Sequence, residues 1–113
     1  MCIRDRTIGA ARPALEVAGS YSMKRKAFGQ PINRFQGVSF QVAEAAMLLD
    51  ACRSLVYTTS LSVDRGADPN TVRRLVSETK RFVTESCQKV ARNAMQVLSL
   101  IHHEACQEAA RGR

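Results

Sequence analysis

The sequence predicts an all-α protein, an up-down helical bundle. Apolar residues recur at three- and four-residue steps along three long segments, as one face of a helix requires. Two short breaks carrying Gly and Pro part those segments. Ala, Leu, Val and Ser dominate a composition with no Trp, two Tyr and four Phe, which suits packed helices better than a sheet. No segment alternates as a strand would, and no internal repeat or low-complexity tract is present. The 113 residues leave room for one small domain, and an apolar fraction of 45% supports a packed core.

The first helix is expected from about Thr7 to Ala27, with Ile8, Ala11, Leu15, Ala18 and Ser22 on one face. Pro13 falls inside it, so the helix either begins within this stretch or kinks there. Phe28-Gly29-Gln30-Pro31-Ile32-Asn33 forms the first break. The second helix is expected from about Phe35 to Arg65, its core stripe being Phe40, Ala43, Met47, Cys52, Leu55 and Val56. Ala45, Ala46 and Ala51 would permit close helix contact. At ~1.5 Å per residue this helix spans ~45 Å, a length that suits a larger assembly. Gly66-Ala67-Asp68-Pro69 forms the second break, with Gly66 as C-cap, Asp68 as N-cap and Pro69 at the first helical position. The third helix carries Val76, Phe82, Val83, Val90, Ala94 and Val97 inward.

Both ends carry a coincidence at the codon level. Met1–Arg6 can be encoded by ATGTGTATAAGAGACAG plus one purine, and Leu98–His102 by CTGTCTCTTATACAC. The second string is the reverse complement of the last fifteen bases of the first, and it resembles a transposon end used in making sequencing libraries. The expected organisation is therefore a non-native scar at 1–6, an incomplete helical domain at 7–98 and a non-native tail at 99–113.

The formal charge is +7, and residues 7–98 alone hold thirteen Lys/Arg against seven Asp/Glu. Most basic residues stand singly on helical faces. Only Lys24-Arg25-Lys26, Arg73-Arg74 and Lys80-Arg81 are adjacent, without interleaved aromatics, so a solvated basic surface is favoured over nucleic-acid binding. Cys2, Cys52, Cys87 and Cys106 show neither metal-ligand spacing nor a secreted framework, and Cys52 and Cys87 read as reduced core residues. No apolar run reaches the length of a membrane span and no signal peptide precedes the domain, so a cytoplasmic location is expected.

Catalytic chemistry finds little support. His102 and His103 are adjacent and do not share a helical face as metal ligands would. No nucleophile elbow is present, and Glu16, Glu44, Glu78 and Glu85 stand apart on helices. No catalytic or metal-binding residue is expected. The stretch from Lys24 to Ile32, followed by Phe35-Gln36, is different. It gathers a guanidinium, an aromatic face and a side-chain amide around one corner. Read on composition alone, it is a basic cluster that complements a helix C-terminus.

This corner resembles the acyl-CoA dehydrogenase family. Members carry Arg-x-x-Phe-Gly-x-Pro-Ile, a short turn, then Phe-Gln; this chain has Arg25-Lys26-Ala27-Phe28-Gly29-Gln30-Pro31-Ile32 and Phe35-Gln36 at that spacing. Gly9–Glu16 is similar to the family's Gly-x-Ala-x-x-Ala-Leu-Glu, and Ala94–Leu98 to the segment that continues into Gly-Gly-x-Gly-Tyr. The resemblance covers residues 7–98. It implies three of the four helices of a C-terminal four-helix bundle and FAD as cofactor. Arg25 would contact the FAD pyrophosphate, Ala27 and Phe28 would lie beside the adenosine half, and Gln36 and Gln96 would hydrogen-bond the cofactor. In the family these contacts reach a neighbouring subunit's flavin, so a homo-oligomer, dimer or tetramer, is implied. The implied reaction is α,β-dehydrogenation of an acyl-CoA substrate, a Glu removing the α-proton and electron-transfer flavoprotein reoxidising the flavin.

The chain departs from the family's pattern where Ser99-Leu100 replaces Gly-Gly. The catalytic Glu, the fourth helix and the domains holding most of the cofactor lie outside 7–98. Asp5 and Glu104 are not substitutes for that Glu. An inactive fragment is therefore expected. The alternatives are a related flavoprotein, such as an acyl-CoA oxidase or flavin-dependent hydroxylase, and a non-enzymatic helical interaction module.

Overall fold

The computed structural model describes the backbone of residues 2–111 and the side chains of residues 5–98. Its elements are α1 (Cys2–Lys24), β1 (Lys26–Ala27), β2 (Gln30–Pro31), a 3-10 turn (Ile32–Arg34), α2 (Gln36–Asp64) and α3 (Pro69–Arg111). The three helices run up, down and up in a rod of 68 × 20 × 17 Å. The 43 residues of α3 set the long dimension, since ~1.5 Å per residue gives ~65 Å. The expected all-α bundle is what the chain forms.

One core cluster lies in the body of the rod, joining Ile8 and Ala11 of α1 to Ala45, Leu49, Cys52 and Val56 of α2 and Val83, Cys87 and Val90 of α3. A second lies at one end, where Ala18 meets Ile32, Val38, Ala94 and Val97. Antiparallel α2 and α3 are held in register by Thr59 and Thr79, both fully buried, whose hydroxyls are 2.7 Å apart. Thr59 gives its single hydrogen to the Leu55 carbonyl at 2.8 Å, so Thr79 donates across the interface. At the surface of the same seam Lys89 donates to Glu44, which also accepts from Asn93 Nδ2 at 3.3 Å. That pairing holds the Glu44 carboxyl below the usual carboxylate range; the Lys89 hydrogen bond contributes most.

The turn between α2 and α3 follows its local chemistry. Gly66 takes φ 72°, its N–H donates to Val63 O and the Ala67 N–H to Ser62 O, the bonding of a Schellman cap. The Asp68 carboxylate accepts from the N–H groups of Asn70 and Thr71 at 3.1 and 3.2 Å, with Pro69 as first helical residue.

Four expectations are corrected. Pro13 sits in the helix interior, because α1 starts at Cys2, which removes the reading that the helix begins near Pro13. Both Pro13 and Gly9, whose carbonyl loses its partner, lie on the exposed face, where water can replace the bond. The first helix stops at Lys24 instead of Ala27, and a short hairpin follows where no strand was expected. On α2, Cys52 and Val56 are buried and Leu55 is half-buried, but Phe40 and Met47 are 66% and 63% exposed and Ala43 and Ala51 face outward too. The buried face is Val38, Ala45, Leu49, Cys52, Val56 and Thr59. On α3, Val83, Val90, Ala94 and Val97 are buried and Val76 half-buried, whereas Phe82 is 38% exposed.

Candidate functional site

The corner between α1 and α2 is built by backbone geometry that its sequence dictates. Arg25 closes α1 through its N–H to Tyr21 O, and its carbonyl accepts from Ile32 N–H at 3.0 Å. Between those bonds Lys26 pairs with Pro31 and Ala27 with Gln30, leaving Phe28-Gly29 as a two-residue hairpin loop. Both loop residues have positive φ, 53° and 79°, as a type I′ turn demands. Gly29 adopts this freely, whereas Phe28 pays a steric penalty of ~1–2 kcal/mol. The 3-10 turn then delivers the chain into α2, with Ile32 buried beneath it.

This geometry puts unlike groups on one small surface. The Phe28 ring is 89% exposed and meets Phe35 edge-on, with ring centroids 6.2 Å apart. Ala27 and Phe35 pack on the end cluster and hold the hairpin to the bundle. Arg25 is half-buried, and its Nε is buried with no hydrogen-bond partner among the described residues. A buried guanidinium N–H without an acceptor costs free energy unless an anion or water completes it. Nearby, Phe35 caps the N-terminus of α2 without any side-chain hydrogen bond, and Gln36 is the first helical residue. An uncapped helix N-terminus adds positive potential to that of Arg25. The arrangement fits a ligand that carries phosphate and a flat ring.

Arg25, Ala27, Phe28 and Gln36 thus share one corner. Gln96 reaches the same end of the bundle on α3, flanked by Ala94 and Val97 of the end cluster, and its side chain is exposed. Sequence reasoning missed Gln41 and Asn93. Gln41 Oε1 is buried and unpartnered among the described residues, and the Gln41 carbonyl accepts from Asn93 Nδ2 at 3.4 Å. Neither lies in a motif, so only the fold discloses them. No group of three or more His, Cys, Asp or Glu able to hold a metal ion occurs among the described residues. Asp5 is exposed, while the side chains of Cys2, Ser99, Leu100, His102, His103, Glu104 and Cys106 lie outside the described residues. No described helix is long and apolar enough to cross a membrane.

The fold is that of a helical domain found in flavoproteins. The FAD complex of PigA superposes with a TM-score of 0.79 at 25% identity, covering 85% of this chain and 24% of that one. Residues 1–100 match the family described as acyl-CoA dehydrogenase, C-terminal domain. The acyl-CoA dehydrogenase of Bacillus subtilis is 35% identical over 95 residues, 84% of this chain and 24% of the relative. The probable acyl-CoA dehydrogenase FadE25 of Mycobacterium tuberculosis is 33% identical over the same shares. The chain belongs to the acyl-CoA dehydrogenase family and corresponds to its C-terminal domain. It spans about a quarter of the length of these relatives.

Proposed function

We propose that the chain is part of a flavin-dependent acyl-CoA dehydrogenase, an oxidoreductase acting on an acyl-CoA thioester. In this reading its corner completes an FAD site and the chain alone is inactive. The observation that carries it is Arg25 Nε, buried and lacking an acceptor among the described residues, beside an uncapped helix N-terminus and an outward Phe28 ring. Arg25 would hold the pyrophosphate, Ala27 and Phe28 would flank the adenosine half, and Gln36 and Gln96 would donate or accept at the cofactor's polar edges. When bound, the flavin supplies the redox chemistry, while the protein binds and orients it. None of the described residues forms an acid-base pair for α-proton removal, so that carboxylate belongs to the rest of the parent protein. The site is shared between subunits of a homo-oligomer, and electron-transfer flavoprotein is the parent's electron acceptor in the cytoplasm. Borders at 6/7 and 98/99 belong to the same reading, and the nucleotide sequence flanking the reading frame tests them.

FAD titration of the purified chain, followed by quenching of flavin fluorescence, tests the corner. A charge-assisted hydrogen bond contributes ~1.5–3 kcal/mol, so Arg25→Ala should weaken binding by about 10–100-fold. Lys26→Ala, on the exposed side of the hairpin, should change it little. Equal effects of the two substitutions, or salt-sensitive binding of a labelled DNA duplex in preference to FAD, would replace this reading with a general basic surface.

A further inference from the structure

Away from the corner, two cysteines lie in one core cluster. Cys52 of α2 and Cys87 of α3 are buried and free, and both belong to the cluster of Leu49, Val56, Val83 and Val90. The Thr59–Thr79 bond sets the register of these antiparallel helices. Two turns back along α2 from Thr59 lies Cys52, and two turns onward along α3 from Thr79 lie Ser86 and Cys87. Cys52 and Cys87 thus meet within one core cluster, near enough for each thiol to influence the ionisation of the other. Fully buried Ala45 and buried Ala94 border the same helices, and small side chains favour close approach.

We infer that Cys52 and Cys87 form a redox cross-link site, at which an azo or comparable two-electron oxidant joins α2 to α3 by an intramolecular disulfide. With an azodicarboxamide the chemistry balances. The thiolate of one cysteine adds to the N=N bond, forming S–N, and the second nitrogen takes a proton. The other thiolate attacks that sulfur, so S–S forms, S–N breaks and the hydrazine leaves with a second proton. Two thiols are oxidised by two electrons and the azo bond is reduced by two. Burial raises both thiols above their ordinary range, Cys87 to about 11. The pair is therefore protonated at neutral pH, and it reacts slowly. The disulfide closes a loop of roughly 35 residues and removes freedom from the unfolded chain.

The test uses the full chain with C2S and C106S, which leaves only this pair. After treatment of the folded, reduced protein with diamide, the intact mass should fall by two hydrogens. A non-reducing peptide map should join the Cys52 and Cys87 peptides within one molecule. The thermal midpoint should rise by about 10 °C and fall back with reductant. C87A in the same background should give no internal link. The inference is overturned if the folded chain keeps both thiols under conditions that oxidise it in guanidinium. It is also overturned if links form only between molecules, or if the internal link lowers the midpoint, because a native-geometry disulfide must not strain the fold.

Discussion

The buried hydroxyl pair between α2 and α3 makes an asymmetric prediction. Thr59 and Thr79 are both 0% exposed and their oxygens are 2.7 Å apart. Thr59 also donates to the Leu55 carbonyl, whereas among the described residues the Thr79 hydroxyl bonds only across the interface. Thr79→Val therefore removes one neutral hydrogen bond and leaves Thr59 satisfied, at a cost of ~1 kcal/mol. Thr59→Val strands the Thr79 hydroxyl in the core and should cost ~2 kcal/mol, the desolvation penalty of an unpaired group. Replacing both removes the unsatisfied group altogether, so the double valine variant should lie close to the parent chain. The coupling would then be ~2–3 kcal/mol. Urea unfolding followed by circular dichroism reads these differences as midpoint shifts at constant slope. If the two single costs add in the double variant, or Thr79→Val is the more damaging one, the assigned direction of the hydrogen bond is wrong.

Other consequences follow from single residues. Pro13→Ala restores an interior hydrogen bond on the exposed face of α1 and should stabilise the chain by up to ~3 kcal/mol, less the lost rigidity of the unfolded state; an unchanged or lowered urea midpoint would contradict the helix geometry around Gly9. The Glu44 carboxyl is held below its ordinary value of 4.5, chiefly by the Lys89 hydrogen bond. Its contribution is therefore complete above that pH and lost as pH falls through the folded-state value; Glu44→Gln should flatten the acid limb of the stability-pH curve. Cys87 is raised from 9.0 to about 11, chiefly by burial. Its contribution is therefore present below pH 9 and lost towards 11, and alkylation of folded protein at pH 8 should spare it relative to unfolded protein.

What could be read from the sequence depended on how local its cause was. The Gly66 cap and the Asp68-Pro69 start were legible because each depends on a few adjacent residues. The inward face of α1 was legible because Ile8, Ala11, Leu15, Ala18 and Ser22 recur at three- and four-residue steps, even though Val17 and Met23 lie exposed on its other side. The phase of α2 was not, because that helix is apolar on two faces. Phe40 and Met47 on one side compete with Val38, Ala45 and Leu49 on the other, and periodicity alone cannot choose between them. The hairpin escaped notice for a different reason. Its strands are two residues long, and its loop is Phe-Gly where a turn of this type ordinarily announces itself as Asn-Gly. The orphaned atoms of Arg25 and Gln41 exist only once the helices have packed.

Phe28 combines backbone strain with exposure. A bulky residue at φ 53° is disfavoured in the position that Asn occupies best, and an 89% exposed ring recovers little by burial. Its edge-on contact with Phe35 offsets only part of the strain, about 0.5–1.5 kcal/mol. The remainder is tolerated because Ala27 and Phe35 anchor the hairpin to the end cluster. Strain held in place by surrounding packing, beside an Arg25 Nε without a partner among the described residues, suits the proposed ligand contact better than it suits stability. Phe28→Asn should therefore act in opposite directions on two measurements. The thermal midpoint should rise by a few degrees, for a gain of ~0.5–1 kcal/mol, while FAD affinity falls. A variant that gains stability and binds FAD unchanged would leave the strained ring without a cofactor role. Such a result would reduce the proposed cofactor contact to Arg25, the α2 N-terminus and the two glutamines.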